Sequence, residues 1–294
     1  MKVFYSPDYV GAGYAFDTTR KAKWVADSLL SAPLAGLELV SPSPLTEADV
    51  CQVHSAAYVQ AVRTGAPLAL AQSQSFTWDA GLWPMVLASN GGAVAAAHEA
   101  LRSGVAGSLS SGLHHAAQAQ GRGYCTFNGL VLAAQSVLAA GAQRVLIVDL
   151  DAHCGGGTAS LIQDDARIWQ LDVSVDDYDA YAPGPRTWLS LVTNSNHYLA
   201  QVHAGLQWVD ALGLHFDLCL YNAGMDPFER CPDGALAGID QAMLAQREQI
   251  MFDWCRARRL PVAFMLAGGY IGPQLSQDEL VSLHRLTLSA ALGA

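Results

Sequence analysis

Short apolar segments rich in β-branched residues alternate along the chain with longer segments of helical periodicity. The strand candidates are residues 105–110, 144–149, 168–173, 216–221 and 261–266. The helix candidates, which are rich in Ala, Leu and Gln, are residues 87–102, 128–140, 197–213, 235–258 and 276–292. This order predicts a three-layer α/β fold, in which helices cover both faces of a mostly parallel β-sheet.

Residues 176–196 form the longest stretch without clear periodicity, and Pro183, Gly184 and Pro185 lie together within it. A loop of that length in a compact protein is usually functional. No low-complexity linker or shift in composition marks a boundary anywhere in the chain. We therefore expect a single domain over residues 1–294.

The composition is that of a compact globular protein, because 51% of the residues are apolar and only 14% are charged. Sixteen Lys and Arg residues stand against 26 Asp and Glu residues, which gives a formal net charge of −10. No run of basic residues could follow a phosphate backbone, so we expect no direct binding of nucleic acid. The acidic balance favours cationic ligands such as amines.

The N-terminal sequence MKVFYSPDYVGAG lacks the apolar stretch of a signal peptide. No segment approaches the roughly 18 apolar residues that a membrane span needs. The six cysteines are scattered, without a CxxC motif or the regular spacing of a disulfide framework. These features predict a cytoplasmic protein that does not associate with membranes.

Polar side chains cluster where the strand at 144–149 ends. The strand continues into LDAHCGGGT, so Asp149, Asp151 and His153 occupy alternate positions and point to one side of the chain. Ligand sites of open α/β sheets lie beyond the carboxyl ends of the strands. Burying two carboxylates with an imidazole is costly unless a cation offsets the charge. The segment therefore predicts a metal site.

A further ligand candidate follows another strand, in the segment FDLCLYNAGMDP, which contains Asp226. Together with Asp151 and His153 it would leave one position of a metal ion open, the pattern of a catalytic zinc. Each motif alone also fits a structural role, such as an Asp capping a helix or the glycines at 155–157 forming a turn. Their combination favours the metal site.

The segment SSGLHHAAQAQGRGYCTFNG carries the adjacent residues His114 and His115. A neutral imidazole can take a proton from water and return it to a leaving amine, as amide hydrolysis requires. Asp149 is a candidate partner for His114, since a carboxylate on one ring nitrogen fixes the tautomer and raises the basicity of the other.

The last strand candidate leads into AGGYIGP. Gly268 and Gly269 would let the backbone pass close to a ligand and present Tyr270 at the rim of the site. The Tyr270 phenol is then placed to donate a hydrogen bond to a developing oxyanion. A tyrosine packed at a turn is the alternative interpretation of this motif.

With these motifs the chain resembles the histone deacetylase family, including bacterial acetylpolyamine amidohydrolases and the short class IV histone deacetylases. VHSAAYVQAV at 53–62 is similar to the family's VHxxxYV segment, and GGAVAAAHEAL is similar to its glycine-led helix. LAQREQIMFDWCRARRLPVAF resembles its last helix and strand. The resemblance covers most of the chain and implies the arginase/deacetylase fold.

The resemblance implies a zinc-dependent amidohydrolase that removes acetyl or other acyl groups from lysine side chains or related amines. It implies one zinc ion bound by Asp151, His153 and Asp226. It further implies the following roles: His115 as general base and acid, His114 as its electrostatic neighbour, Tyr270 polarising the carbonyl, Asp149 supporting the site, and Gly123, Tyr124, Gly268 and Gly269 along a narrow substrate tunnel.

The family also implies a structural K⁺ beneath the zinc ligands, near Asp149, Asp151 and His153. The segment Asp172-Val173-Ser174 departs from the Ser-initiated segment that helps hold this ion in relatives, which leaves its occupancy open. The resemblance allows a homo-oligomer, since a neighbouring subunit helps wall the entrance in some bacterial relatives.

The sequence departs from the family pattern after His153, where relatives have HHGDG or HQGNG and this chain has HCGGG. Gly156 replaces the Asp or Asn that normally supports the second histidine. We therefore expect the tautomer and basicity of His115 to be less fixed and the activity to be reduced or redirected.

Two other functions stay open at this point. Gly156 is consistent with a catalytically weakened protein that only binds acylated ligands. An arginase-like ureohydrolase shares the superfamily fold, but it needs a further Asp for a second manganese, and that position is Gly155. The sequence does not fix the substrate among acetyl-lysine, acetylpolyamine, longer acyl chains and small metabolites.

Overall fold

The computed structural model describes residues 1–13 and 16–293, apart from the side chain of Thr18. The strands in this part of the chain are β1 (Lys2–Phe4), β2 (Glu38–Val40), β3 (Val105–Ser108), β4 (Val145–Asp149), β5 (Ile168–Ser174), β6 (Thr187–Leu191), β7 (Leu218–Ala223) and β8 (Val262–Leu266). They form one sheet in the order β2-β1-β3-β8-β7-β4-β5-β6, and all neighbouring strands are parallel.

Helices pack on both faces of this sheet. They are α1 (Asp17–Ser31), α2 (Glu47–Val50), α3 (Ala56–Thr64), α4 (Leu68–Ala71), α5 (Leu82–Ser103), α6 (Gly129–Ala139), α7 (Gly156–Ile162), α8 (Tyr198–Ala211), α9 (Gln241–Arg258) and α10 (Gln277–Leu292). One core cluster joins the sheet to α1, α8, α9 and α10, and the other joins it to α3, α5, α6 and α7. Within the described chain, no helix combines the length and the apolar character that a bilayer crossing requires.

Strand β4 shows why the central strands are continuously apolar. Its residues Leu146 and Val148 pack into one core cluster, whereas Val145 and Ile147 pack into the other. A strand covered by helices on both faces must be apolar at successive positions rather than at alternate ones. The predicted α/β fold with a parallel sheet is confirmed.

The predicted elements differ from the structure mainly at the edges of the sheet. Each strand and helix candidate overlaps an element of the structure, but residues 235–240 precede α9 instead of belonging to it. The prediction that 176–196 lacks regular structure is wrong in part, because β6 lies within it and pairs with β5. Strand β6 (TWLSL) is an edge strand of intermediate burial, so its hydrophobic pattern is weak.

Because the sheet is parallel, the carboxyl ends of neighbouring strands meet at one edge. In register, Asp149 at the end of β4 lies beside Asp172 of β5 and Asn222 of β7. Asn222 in turn lies beside Met265 of β8. The loops that follow these strands therefore converge, and they carry the polar motifs of the sequence.

Candidate metal centre and active site

Three predicted metal ligands meet beyond the ends of β4 and β7. Asp151, His153 and Asp226 each offer one ligand atom, these atoms lie within 4.8 Å of one another, and all three residues are buried. The Nδ1 atom of His153 lies 3.2 Å from Oδ1 of Asp151 and 3.3 Å from Oδ2 of Asp226. Two carboxylates and one imidazole thus form a set that could hold one ion.

Backbone amides from two loops, those after β4 and β8, hold these carboxylates in place. The amide of Ala152 donates to Oδ1 of Asp226 at 3.0 Å, and the amide of Gly268 donates to Oδ2 of Asp151 at 2.7 Å. A Cβ atom at Gly268 would lie only 1.8 Å from Oδ2 of Asp226. The loop after β8 can therefore approach the site this closely only because residue 268 has no side chain.

The electrostatics of the site suit a divalent cation. Burial raises the pKa of Asp226, and the nearby charge of Asp151 raises it further. Burial opposes protonation of His153, but the surrounding carboxylates outweigh it and raise the pKa of this imidazole. Oδ2 of Asp226 is buried and makes no well-directed hydrogen bond within the described part of the chain. One ion bound by these donors would offset the negative charge of the two carboxylates and take the imidazole nitrogen as a ligand, as at catalytic zinc sites.

Two histidine rings lie beside the metal ligands, with centroids 3.9 Å apart. Nδ1 of His114 lies 2.7 Å from Oδ2 of Asp149, so the predicted pair of these residues is present. Asn222 Nδ2 donates to the other Asp149 oxygen at 2.8 Å. Burial opposes a charge on His114, but Asp149 and Asp151 outweigh it and raise the pKa of His114 to about 10. These two carboxylates therefore favour the protonated form of His114.

His115 has its own carboxylate partner, which lies in the loop after β5. Nδ1 of His115 is 3.0 Å from Oδ2 of Asp179. Burial, and then the charge of His114, lower the pKa of His115 to about 4, although Asp179 opposes this shift. The ring is therefore neutral at neutral pH and can accept a proton.

This arrangement corrects the expectation drawn from Gly156. The sequence predicts that His115 lacks a supporting carboxylate because residue 156 is a glycine. In the structure, Asp179 makes that contact from a position 23 residues further along the chain. The aperiodic stretch 176–196, with its acidic start DDYD, is the signal in the sequence, but it does not show which carboxylate turns inward.

The site opens into a cavity of about 310 Å³. The lining residues are Ser75, His115, Gly123, Tyr124, His153, Asp176, Tyr178, Asp233 and Tyr270. The ring of Tyr124 stacks on Phe16 with centroids 4.1 Å apart, and the rings of Tyr178 and His115 are perpendicular, with centroids 4.9 Å apart. Burial raises the pKa of Tyr270 well above its ordinary value, which keeps this phenol protonated as a hydrogen-bond donor.

Of the predicted tunnel residues, Gly123 and Tyr124 lie on the cavity wall. Gly268 and Gly269 do not, since the first touches the metal ligands and the second packs near Leu280 of α10.

Comparison with known proteins identifies the family. The model of the histone deacetylase domain matches residues 16–187, which is more than half of the chain. An uncharacterized protein of Picosynechococcus sp. is 33% identical over 245 residues, which cover 81% of this chain and 80% of that protein. This chain belongs to the histone deacetylase family. The resemblance predicted from the motifs is confirmed.

Named relatives of this histone deacetylase family member include two groups of enzymes. Histone deacetylase 2 of Arabidopsis thaliana is 26% identical over 266 residues, covering 84% of this chain and 67% of that protein. Acetylpolyamine amidohydrolase 2 of Pseudomonas aeruginosa is 29% identical over 172 residues, covering 53% and 48%. Members of the family are deacetylase hydrolases.

Solved structures share the fold of this histone deacetylase family member at low sequence identity. The HDA15 HD domain superposes with a TM-score of 0.80 at 20% identity, covering 100% of this chain and 91% of that one. An acetylpolyamine aminohydrolase from Burkholderia pseudomallei gives a TM-score of 0.81 at 16% identity, with 99% and 98% covered. These matches confirm the arginase/deacetylase fold.

The sequence relates Asp172 of β5 only to the K⁺ site, through the departure of its segment from the family pattern, and in the structure this carboxylate is buried. Asp172 lies opposite Asp149, and it accepts hydrogen bonds from the Gly155 amide at 2.7 Å and from Ser174 Oγ at 2.5 Å. Burial, and then the charge of Asp149, raise the pKa of Asp172. The alternation of Asp172 and Ser174 on a buried strand is a signal that the sequence carries. Their pairing with Asp149 depends on the strand register.

Proposed function

We propose that this chain is a zinc-dependent amidohydrolase, acting as one catalytic domain, that removes acetyl or other acyl groups from lysine side chains or related amines. The observation that carries the proposal is the convergence of a metal-ligand triad and a histidine pair at one end of a single cavity. Tyr270 faces the same cavity.

Asp151, His153 and Asp226 would hold the zinc ion. When bound, zinc supplies a Lewis acid that acidifies water and polarises an acyl carbonyl. The Asp151 and Asp226 carboxylates are fixed by the amides of Gly268 and Ala152, so the ligand set is preorganised.

The residues around the triad supply proton transfer and oxyanion stabilisation. His115 is neutral and lines the cavity, so its free Nε2 takes the proton of the attacking water and then returns it to the leaving amine. His114, held in its charged form by Asp149, stabilises negative charge next to this step. The Tyr270 phenol donates to the developing oxyanion, a contribution that typically amounts to about 2.7–4 kcal/mol.

The walls of the cavity favour an extended substrate that ends in a cationic amine. Tyr124 and Tyr178 offer aromatic surfaces to an alkyl chain, and the carboxylates of Asp176 and Asp233 lie beside them. The net charge of −10 favours the same ligands. Relatives named histone deacetylase and acetylpolyamine amidohydrolase support acyl-lysine peptides and acylpolyamines as the substrate class.

We propose a structural K⁺ near Asp149, Asp151 and His153, and we add Asp172 to its surroundings. Two buried carboxylates, Asp149 and Asp172, lie side by side on neighbouring strands. Two buried negative charges on neighbouring strands are costly without a cation or a shared proton, and a monovalent ion would offset part of this charge. Its expected signature is an activity that depends on K⁺ concentration.

The function is tested with the zinc-loaded chain and a panel of acetyl-lysine peptides and acetylated polyamines, by measuring released acetate. We expect His115→Ala to lower turnover about 10²–10⁴-fold with its zinc retained, because general base catalysis contributes that much. Asp226→Ala should lose both zinc and turnover. His203→Ala, at an exposed position of α8, is the control and should behave as wild type.

Zinc-loaded wild-type protein that binds these ligands without releasing acetate would contradict the hydrolase and favour a protein that only binds acylated ligands. Unchanged turnover in both site variants would also contradict it. Metal counting on the same samples separates one zinc per chain from the dimetal site of a ureohydrolase.

A further inference from the structure

We infer that Asp179 positions His115 for proton transfer, and that the loop after β5 thereby supplies the carboxylate that the HCGGG segment lacks. This inference rests on the proposed function, in which His115 moves the proton. Asp179 does not line the cavity and acts through His115, so it is a positioning residue rather than a catalytic one.

The Asp179 carboxylate is fixed at both oxygens. Its Oδ2 accepts from Nδ1 of His115 at 3.0 Å and from the Gly157 amide at 3.0 Å. Its Oδ1 accepts from the guanidinium of Arg122. The side chain is only 4% exposed, so water does not compete strongly for these positions. Such a carboxylate holds the imidazole in one orientation.

The contact also decides which ring nitrogen of His115 carries the proton. A carboxylate can only accept hydrogen bonds, so Nδ1 of the neutral ring must donate to Asp179. Nε2 is then left with a free lone pair, on a ring that lines the cavity. This is the tautomer that a general base needs. Without Asp179 both tautomers would be populated.

Gly156 and the inward turn of Asp179 depend on each other. A Cβ atom at residue 156 would lie 2.2 Å from the carbonyl oxygen of Asp179 and 2.8 Å from its Cγ. Asp179 itself has a left-handed backbone conformation, with φ of 59°, which Asp tolerates better than most residues. A side chain at 156 and the observed path of this loop therefore exclude each other. The glycine makes room for the relocated carboxylate.

Arg122 connects this contact to the opposite wall of the cavity. It precedes Gly123 and Tyr124, which line the cavity, while Asp179 follows Tyr178 on the other side. The Arg122 side chain is 42% exposed, whereas the Asp179 side chain is buried. The ion pair therefore lies between solvent and the contact of Asp179 with His115. The pair also neutralises a carboxylate that would otherwise be buried with a single imidazole.

The test compares zinc-loaded Asp179→Ala, Asp179→Asn and Gly156→Ala with two controls from the same region. Asp177→Ala removes an exposed carboxylate of the same loop. Gly184→Ala adds a methyl group that meets only Thr187 Oγ1 at 3.8 Å. The readouts are kcat, KM and zinc content, together with ¹⁵N NMR of the His115 ring in the metal-free and zinc-loaded protein, assigned with His115→Ala.

We expect Asp179→Ala to lower kcat about 10–100-fold with KM and zinc content retained, and its NMR spectrum to show a mixture of His115 tautomers. Asp179→Asn keeps an acceptor for Nδ1 but loses the ion pair with Arg122, so its kcat should lie between those of Asp179→Ala and wild type. Gly156→Ala should reproduce the Asp179→Ala defect with the carboxylate intact. Both controls should match wild type.

Full kcat and a single Nδ1-protonated tautomer in Asp179→Ala would overturn the inference, while a loss of turnover in His115→Ala would leave the proposed function standing. If the wild type releases no acetate, the proposed function fails, and the His115 tautomer alone decides whether Asp179 fixes the ring. If Asp179→Ala does not fold, Asp179→Asn and Gly156→Ala give the same two readouts, and wild-type values in both would contradict the inference.

Discussion

At the scale of single residues, the proposed metal site depends on the absence of a side chain at residue 268. The Gly268 amide donates to Asp151, and its Cα passes so close to Asp226 that a methyl group would overlap the carboxylate. The carboxylates of Asp151 and Asp226, which follow different strands, can converge here because the loop after β8 has no side chain at residue 268. The motif AGGY therefore serves the metal ligands as much as it serves Tyr270.

Gly268→Ala should weaken zinc binding by at least about 10–100-fold, because the added methyl group displaces Asp226 and disturbs the bond to Asp151. The measurement is competition for zinc against a chromophoric chelator. Gly184→Ala is the matched control, and its zinc affinity should equal that of wild type. Equal affinities in both variants would show that the loop after β8 yields to the methyl group.

His54 is a second residue whose role follows from its contacts. Its Nδ1 lies 2.9 Å from the Ala117 carbonyl, and its Nε2 accepts from the Asn128 amide at 3.0 Å. A carbonyl can only accept and an amide can only donate, so the ring must be neutral. Burial lowers the pKa of His54 to about 4, against the bonds to the backbone. The residue bridges the loop that carries the histidine pair to the start of α6.

This depressed pKa predicts acid destabilisation. The unfolded chain takes up a proton on His54 near pH 6.5 and the folded chain only near pH 4, so stability falls as the pH drops through this window. The loss should approach about 1.4 kcal/mol per pH unit from this residue. In urea unfolding at pH 7 and pH 5, His54→Gln should therefore reduce the difference between the two free energies of unfolding by about 2 kcal/mol.

His203→Gln, at an exposed position of α8, is the control for this experiment and should keep the wild-type pH dependence. His54→Gln is expected to be less stable at both pH values, since its flexible amide does not reproduce the rigid spacing of the two ring nitrogens. The prediction concerns only the pH-dependent difference. If the difference between the free energies of unfolding at pH 7 and pH 5 is as large in His54→Gln as in wild type, the acid sensitivity arises from other groups.

At the scale of elements, helix α9 links the segments that follow β4 and β7 through hydrogen bonds. Arg247 is fully buried and donates to the Leu150 carbonyl at 3.1 Å and to the Gly224 carbonyl at 2.7 Å. Leu150 precedes Asp151, and Gly224 lies two residues before Asp226. Glu248 on the same helix pairs with the guanidinium at 2.6 Å. The helix thus sets the spacing of the loops that carry the metal ligands.

Arg247→Met should lower the free energy of unfolding by about 3–5 kcal/mol, because it leaves Glu248 buried without its cation. Adding Glu248→Leu should recover much of this stability, since a buried pair replaced as a whole is often close to neutral. Zinc affinity should remain weakened in the double variant, because the two carbonyl contacts stay lost. Urea unfolding and zinc competition measure the two effects separately.

Arg256→Met on the same helix provides the comparison. Arg256 pairs with Asp253 at the surface, where such pairs contribute about 0–1 kcal/mol. We expect little change in its free energy of unfolding and none in zinc affinity. If zinc affinity recovered fully in the Arg247→Met/Glu248→Leu variant, α9 would stabilise the fold without setting the geometry of the site.

At the scale of the whole molecule, we expect zinc binding and stability to be linked, because the three proposed zinc ligands lie in the loops that follow two strands of one sheet. An ion that binds only the folded chain should stabilise it by about 2.7 kcal/mol at 100 times its Kd. For a chain of this size we expect Tm to rise by roughly 5 °C with zinc and to fall again with a chelator.

Asp226→Ala should abolish the rise of Tm, and Mg²⁺ should not replace zinc, because it prefers octahedral oxygen ligands. A zinc-dependent Tm shift that survives in Asp226→Ala would place the ion elsewhere in the molecule.

The sequence alone determined the parallel α/β arrangement and the main elements of the centre. Strands such as β4 are apolar at every position because helices cover both faces, and this pattern is local. Asp151 and His153 lie in one short segment directly after β4, so their common direction follows from the alternation of a strand. The carboxyl ends of parallel strands share one edge of the sheet, so Asp226, which follows another strand, was predicted to lie near Asp151 and His153.

Only the tertiary structure decided which groups support these residues. Asp179 reaches His115, Asp172 lies beside Asp149, and Arg247 holds two strand ends, and each contact joins segments far apart in the chain. Such contacts depend on the path of a loop and on strand register, which hydrophobic periodicity does not encode. A local motif therefore showed that Gly156 lacks a carboxylate, but not that a distant loop provides one.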